Sequence, residues 1–117
     1  IDPALHRRNN TSHRCTDLGK NKHIDIIDCI LKEIIHAGHG IELNTSPLCK
    51  GLDRTNPCLE IIKRYKELGG EIITIGSDAH SFQNVGGYFD TAREILLSCG
   101  FKYYSVFTNR KTEMRSL

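Results

Sequence analysis

No stretch of this sequence approaches the roughly 20 apolar residues that a membrane-spanning helix needs, and none reads as a secretory signal. An excess of one charge is lacking too. Sixteen Lys and Arg against fourteen Asp and Glu leave a formal charge of +2, too small to point to nucleic acid. Cysteine is present but not in pairs: Cys15, Cys29, Cys49, Cys58 and Cys99 are odd in number, and none stands in CxxC spacing. That argues against a disulfide framework or a structural zinc site, and for reduced thiols in a cytoplasmic protein. There is no initiating methionine. The chain begins at Ile1 and runs at once into a polar segment, so it is expected to be a piece of a longer protein.

What is present is an ordinary balance for one domain: 117 residues, 38% hydrophobic and 26% charged. A chain of this size buries roughly two-thirds of the surface it exposes when unfolded. The most informative stretch is Ile72-Ile73-Thr74-Ile75-Gly76-Ser77-Asp78-Ala79-His80. Its apolar run predicts a buried strand over 72–76, bent by Gly76-Ser77. If the chain stays extended beyond that bend, Asp78 and His80 point to one side, roughly 6.5–7 Å apart at the backbone. A carboxylate and an imidazole placed so can converge on one metal such as zinc, manganese or iron. Ligands in α/β sheets sit at the C-terminal ends of strands, which is where this pair falls. The competing reading is a solvent-facing turn, with Asp78 capping the next segment and His80 exposed.

The rest of the chain alternates between helix and strand. Residues 1–22 show no sustained period, and their basic groups include the pair Arg7-Arg8. That segment reads either as a solvated loop or as an anion-facing one, since arginine's fork suits phosphate. Ile24, Ile27, Leu31 and Ile34 make a helical stripe, widened by Ile30 and Ile35, with Asn21 as cap and Gly38 just past the end. His36 and His39 are expected at the surface and in a loop. Gly40–Thr45 reads as a strand with Glu42 and Asn44 on one face, either lining a barrel mouth or forming an edge strand's wet side. Ser46–Asn56 reads as loop, carrying Lys50 and Arg54. Asn56-Pro57 predicts a second helix start, with Cys58, Ile61, Ile62, Tyr65 and Leu68 on its apolar face. A third helix is expected from about Val85, then a strand over 103–107 and a basic polar tail from Asn109. Alternation of this kind predicts parallel strands wrapped by crossover helices, as part of a barrel or as an independent small α/β sandwich.

With these elements in place, the chain resembles the C-terminal portion of a PHP-family histidinol-phosphatase. The matching stretches are Gly40–Ser46, Glu60–Gly70, Ile75-Gly76-Ser77-Asp78-Ala79-His80-Ser81, and Gly100–Tyr104 followed by Phe107–Lys111. Together they cover most of positions 22–111, and the Gly-Ser-Asp-Ala-His element is the specific part. The resemblance implies an α/β fold that is part of a distorted (β/α)7 barrel, with residues 1–22 loop-rich and 23–111 built of helix–strand repeats. It implies two or three divalent ions at the barrel mouth, and hydrolysis of L-histidinol phosphate to histidinol and phosphate. Asp78 and His80 match the family's last metal motif and are the expected catalytic and metal-binding residues. Glu42 and Asn44 match its mouth-lining Glu-x-Asn strand. Ile1-Asp2 matches the residues that follow another metal-binding histidine in the family.

Two departures matter. The family's N-terminal His-x-His, its metal-bridging glutamate and its middle histidines are absent from these 117 residues, so the chain is expected to be inert by itself. Cys49 stands where relatives often carry an arginine, leaving Lys50, Arg54, Arg7 and Arg8 as expected phosphate contacts. The expected partner is therefore a small phosphomonoester, with no membrane or nucleic acid, and with self-association through the open edges of an incomplete barrel. Two rival readings are a PHP phosphoesterase acting on nucleotides or nucleic acids, and a non-catalytic PHP-like scaffold module.

Overall fold

A computed structural model describes residues 23–117. Arg7, Arg8 and the Asn21 cap lie outside the described residues. The isoleucine-rich stripe forms helix α1 (His23–His36), which buries Leu31 and packs Ile27, Ile34 and Ile35 against the core. Ile30, expected to widen the stripe, is instead 53% exposed. The helix stops where expected. Gly38 takes φ 77°, its N–H bonds the Ile35 carbonyl, and the His39 N–H bonds the Ile34 carbonyl. This is the double closure that a left-handed residue after a helix makes possible. His36 and His39 are both exposed, as expected.

Strand β1 (Ile41–Asn44) follows, then a four-residue helix α2 (Ser46–Cys49), helix α3 (Leu59–Glu67) and strand β2 (Ile73–Gly76). β1 and β2 pair in parallel, Ile41 opposite Ile73 through Asn44 opposite Gly76. That is the expected outcome of a crossover through α3. Two local expectations are corrected. Residues 46–49 are helical rather than loop, with Pro47 in the first turn, where its missing N–H costs nothing. The second long helix starts at Leu59, not at Pro57. Asn56 exchanges both main-chain hydrogen bonds with Asn44 (2.8 and 3.0 Å), which holds it extended. Cys58 is therefore the residue before the helix.

Beyond β2 come a 3-10 turn (Phe82–Asn84) and helix α4 (Phe89–Ser98). This last helix starts four residues later than Val85. Gly86 (φ 69°) and Tyr88 (φ 61°) turn the chain through the left-handed region, and the Thr45 hydroxyl donates to the Gly87 carbonyl at 2.7 Å. Strand β3 (Tyr103–Thr108) then pairs antiparallel with β4 (Lys111–Ser116). The expected third parallel strand is thus half of a hairpin. β3 lies beside β2 but forms no ladder with it. The expected polar tail from Asn109 is mostly strand. Asn109 (φ 52°) and Arg110 (φ 65°) make a two-residue turn of the mirror-image kind whose twist suits a hairpin.

The core gathers Leu31, Leu43, Ile62, Tyr65, Ile73, Ala92, Leu96 and Phe101. The Tyr65 ring stacks on Phe101, and its hydroxyl donates to the Ile72 carbonyl at 2.7 Å. That carbonyl also accepts the Ile41 N–H at 3.1 Å. Tyr65→Phe leaves it one partner, so the expected loss is about 1 kcal/mol by urea denaturation, not a collapse. Among the cysteines, Cys29, Cys49 and Cys99 are free, but Cys58 is disulfide-bonded, so the expectation of reduced thiols fails there. Among the described residues no helix is long and apolar enough to cross a membrane.

α1 and α3 are clamped by Arg64, whose Nε and Nη2 bond the two Asp28 oxygens, each at 2.7 Å. This fork holds the Asp28 carboxyl below its ordinary value, chiefly through the hydrogen bonds and despite some desolvation. The unfolded chain therefore takes up the proton first as pH falls. The clamp's contribution is complete above the unfolded pKa of about 4 and is lost as pH drops through the lower, folded one. Asp28→Asn should lower Tm at neutral pH, and its gap from wild type should close on acidification. A gap that stays constant down to the lowest accessible pH would refute the assignment.

Candidate active site

The site is built where β1 and β2 end together. Leu43 and Thr45 are fully buried, which turns the alternate residues Glu42 and Asn44 to the other face. Thr45 ties the two strand ends: its N–H bonds the Gly76 carbonyl at 2.8 Å, and its hydroxyl reaches Gly87 in the following loop. Asn44 is committed at both ends of its amide. Its Nδ2 donates to Glu42 Oε1 at 3.2 Å, and its Oδ1 accepts the Ser46 N–H at 2.8 Å. It joins the end of β1 to the start of α2, an Asx-type link.

Gly76 is where a side chain has no room. A Cβ there would lie 2.5 Å from Glu42 Oε2, so the Glu42 carboxylate occupies the space over the glycine. Beyond it the chain does not stay extended, because Asp78 takes φ 46°. The expected extended geometry fails at the backbone, and His80 is exposed, as the solvent-facing turn expects, although Asp78 does not cap the following 3-10 turn. Asp78 Oδ2 and His80 Nε2 stand 3.9 Å apart, with the two side chains 61% and 86% exposed. A non-glycine residue in the left-handed region is uncommon, and aspartate tolerates it better than most.

Ser46, Cys49, Lys50, Ser77, Asp78, His80 and Ser81 line a cavity of about 200 Å³. Lys50 is thus brought to the Asp78–His80 pair, but Arg54, Glu42 and Asn44 are not part of this lining. Ser46, Ser77 and Ser81 are lining residues that the sequence does not single out, whereas Cys49 stands at the position expected to face the phosphate. The signal for Ser46 and Ser77 was their place directly after a strand end. Ser81 had none beyond its nearness to His80.

Two curated proteins are similar to this chain. One, from Thermotoga maritima and described as a probable histidinol-phosphatase, is 35% identical over 82 residues, covering 70% of this chain and 35% of that protein. Another, from Clostridium acetobutylicum with the same description, is 38% identical over 85 residues, covering 70% of this chain and 32% of its own length. The chain is a homologue of the PHP-family histidinol-phosphatases. It spans about a third of the length of the curated relatives it matches. No family model matches the sequence. The architecture among the described residues is mixed α/β, with one parallel and one antiparallel pair of strands.

Asp78 and His80 carry donor types that suit a divalent metal ion. Two ligands sharing one ion tetrahedrally, each at about 2.0–2.1 Å, lie about 3.3 Å apart. The Asp78–His80 separation exceeds that by roughly half an ångström, and two exposed side chains can close such a gap by rotation. The donor chemistry therefore fits two ligands of a centre. Among the described residues no group of three or more His, Cys, Asp and Glu is placed to hold an ion.

Proposed function

We propose that this chain is the C-terminal portion of the catalytic domain of a cytoplasmic, metal-dependent phosphomonoester hydrolase acting on L-histidinol phosphate. In this reading residues 23–111 carry helix–strand repeats of a distorted (β/α)7 barrel, while the segment 1–22 lies outside the described residues. The observation that supports it most is the approach of Asp78 and His80 just past a parallel strand, in a cavity that also takes in Lys50. The homology to probable histidinol-phosphatases supplies the reaction class.

Asp78 and His80 would hold part of a cluster of two or three divalent ions, zinc, manganese or iron by donor type. When bound, such ions acidify a water molecule and shield the phosphoryl oxygens. The free carboxylate oxygen of Asp78 accepts a hydrogen bond from the attacking water and orients it. Lys50 places a positive charge beside the incoming phosphate and favours its binding. Arg54, with Arg7 and Arg8 outside the described residues, would add charge for the same anion. Cys49, on the cavity wall, can offer the phosphate no comparable charge.

Two expected outcomes test this. The 117-residue chain hydrolyses histidinol phosphate no faster than a metal-only control, because two ligands do not position a cluster. Protein-dependent, metal-saturable turnover would overturn the reading of an incomplete site. In the full-length parent, His80→Ala lowers the bound-metal stoichiometry by elemental analysis, whereas Lys50→Ala leaves the metal count unchanged and raises KM. An unchanged metal content in His80→Ala would remove this imidazole from the centre.

A further inference from the structure

The β3–β4 hairpin carries an edge whose chemistry is self-complementary. All six residues of β4 are exposed, and among the described residues no strand pairs with its outer side. The Leu117 N–H bonds the Lys102 carbonyl at 3.0 Å, marking 102 and 117 as a hydrogen-bonded pair. Pairs alternate along an antiparallel ladder, so Tyr104–Arg115, Val106–Glu113 and Thr108–Lys111 are bonded in the same way. The main-chain groups of Thr112, Met114 and Ser116 therefore point away from β3. A six-residue edge with unspent donors and acceptors is a template for another strand.

Charge selects the partner and the register. Along β4, Lys111, Glu113 and Arg115 share one face; the Glu113 and Arg115 side chains, each 56% exposed, already pair with each other at 3.5 Å, and across a second copy that long, exposed pair is exchanged for contacts between strands. The opposite face of the hairpin carries Met114 with Tyr103 and Phe107, which are 46%, 49% and 55% exposed. A two-fold axis through Met114 sets Met114 against Met114 of the second copy and Thr112 against Ser116 of the second copy. Each of these pairs brings together outward-pointing main-chain groups. The same axis sets Glu113 against Arg115 of the second copy, twice over. An axis through Glu113 is excluded on two counts. Its main-chain groups are spent on β3, and it would oppose Glu113 to itself and Lys111 to an arginine.

We propose that two copies of this chain associate edge to edge through β4, antiparallel and centred on Met114, forming a continuous four-stranded sheet. Opposite charges directly across a pair stabilise it, and like charges oppose it. The apolar residues of both copies then share one face of that sheet. Strand addition of this length buries less than the roughly 1,200 Å² of a stable interface, so the association is weak and concentration-dependent.

The test is sedimentation velocity on the 117-residue chain across the micromolar to millimolar range. Wild type is expected to pass from monomer to dimer. Glu113→Arg and Arg115→Glu, each of which creates two like-charged pairs, are expected to weaken the dimer about tenfold. The double variant E113R/R115E restores the opposed charges and is expected to recover it. Met114→Pro removes an outward N–H that β3 does not use, so it is expected to abolish the dimer while far-ultraviolet circular dichroism stays unchanged. A monomer at every concentration would overturn the proposal, as would a dimer indifferent to the single reversals. Failure of the double variant to recover association would do the same.

Discussion

Asp78→Asn in the full-length parent is expected to lower kcat by about 10²-fold or more, with a much smaller change in KM. Asparagine keeps the shape of the side chain but removes its charge. The side chain stands 61% exposed beyond the end of β2, so the core should be unaffected. If the carboxylate holds a metal and orients water, its charge matters most where negative charge develops on the transferring phosphoryl group. The loss should then appear in kcat rather than in ground-state binding. The measurement is steady-state kinetics with elemental analysis on the same preparations. Wild-type kcat together with wild-type metal content would place the chemistry elsewhere, leaving the Gly-Ser-Asp-Ala-His stretch as an exposed loop.

Leu43→Ala is expected to destabilise the fold by about 2–5 kcal/mol, the range for removing a buried leucine and leaving a partly collapsed cavity. Leu43 is fully buried and belongs to the core cluster that also holds Ile73, on the neighbouring strand. Single domains have only about 5–15 kcal/mol in total, so the variant should lie close to global unfolding. It should also loosen the site, because β1 carries the Asn44 and Thr45 links to α2 and the loop after β2. Urea denaturation gives the magnitude. A loss below about 1 kcal/mol would mean that the strand pair is not the centre of the core.

The order of the three longer helices and the strands from 23 to 108 was legible in the sequence, because it rests on apolar periodicity; the short helix α2 was not. The stripe of α1 and the Tyr65 face of α3 fall where spacing put them, whereas of the run 72–76, expected to be buried, only Ile73 is buried and the rest is half-buried. So did the end of α1, where Gly38 supplies a conformation that other residues reach at a cost. The carbonyl and N–H groups of single residues were not legible, since their partners are set by distant parts of the chain. Asn56 looked like a cap, but a bridge to Asn44 claims its main chain and moves the start of α3 to Leu59. The turn at Asn109-Arg110 lacks the glycine that usually announces a hairpin, so β4 passed for a tail. The same division holds at the site. Residue type and spacing single out Asp78 and His80 as candidates, because few side chains can bind a metal and both follow an apolar strand. Their approach to 3.9 Å depends on the left-handed backbone at Asp78, and the nearness of Lys50 depends on the short helix α2. Composition and periodicity act locally and can be read along the chain. Convergence depends on where parallel strands end relative to one another, which packing in three dimensions decides.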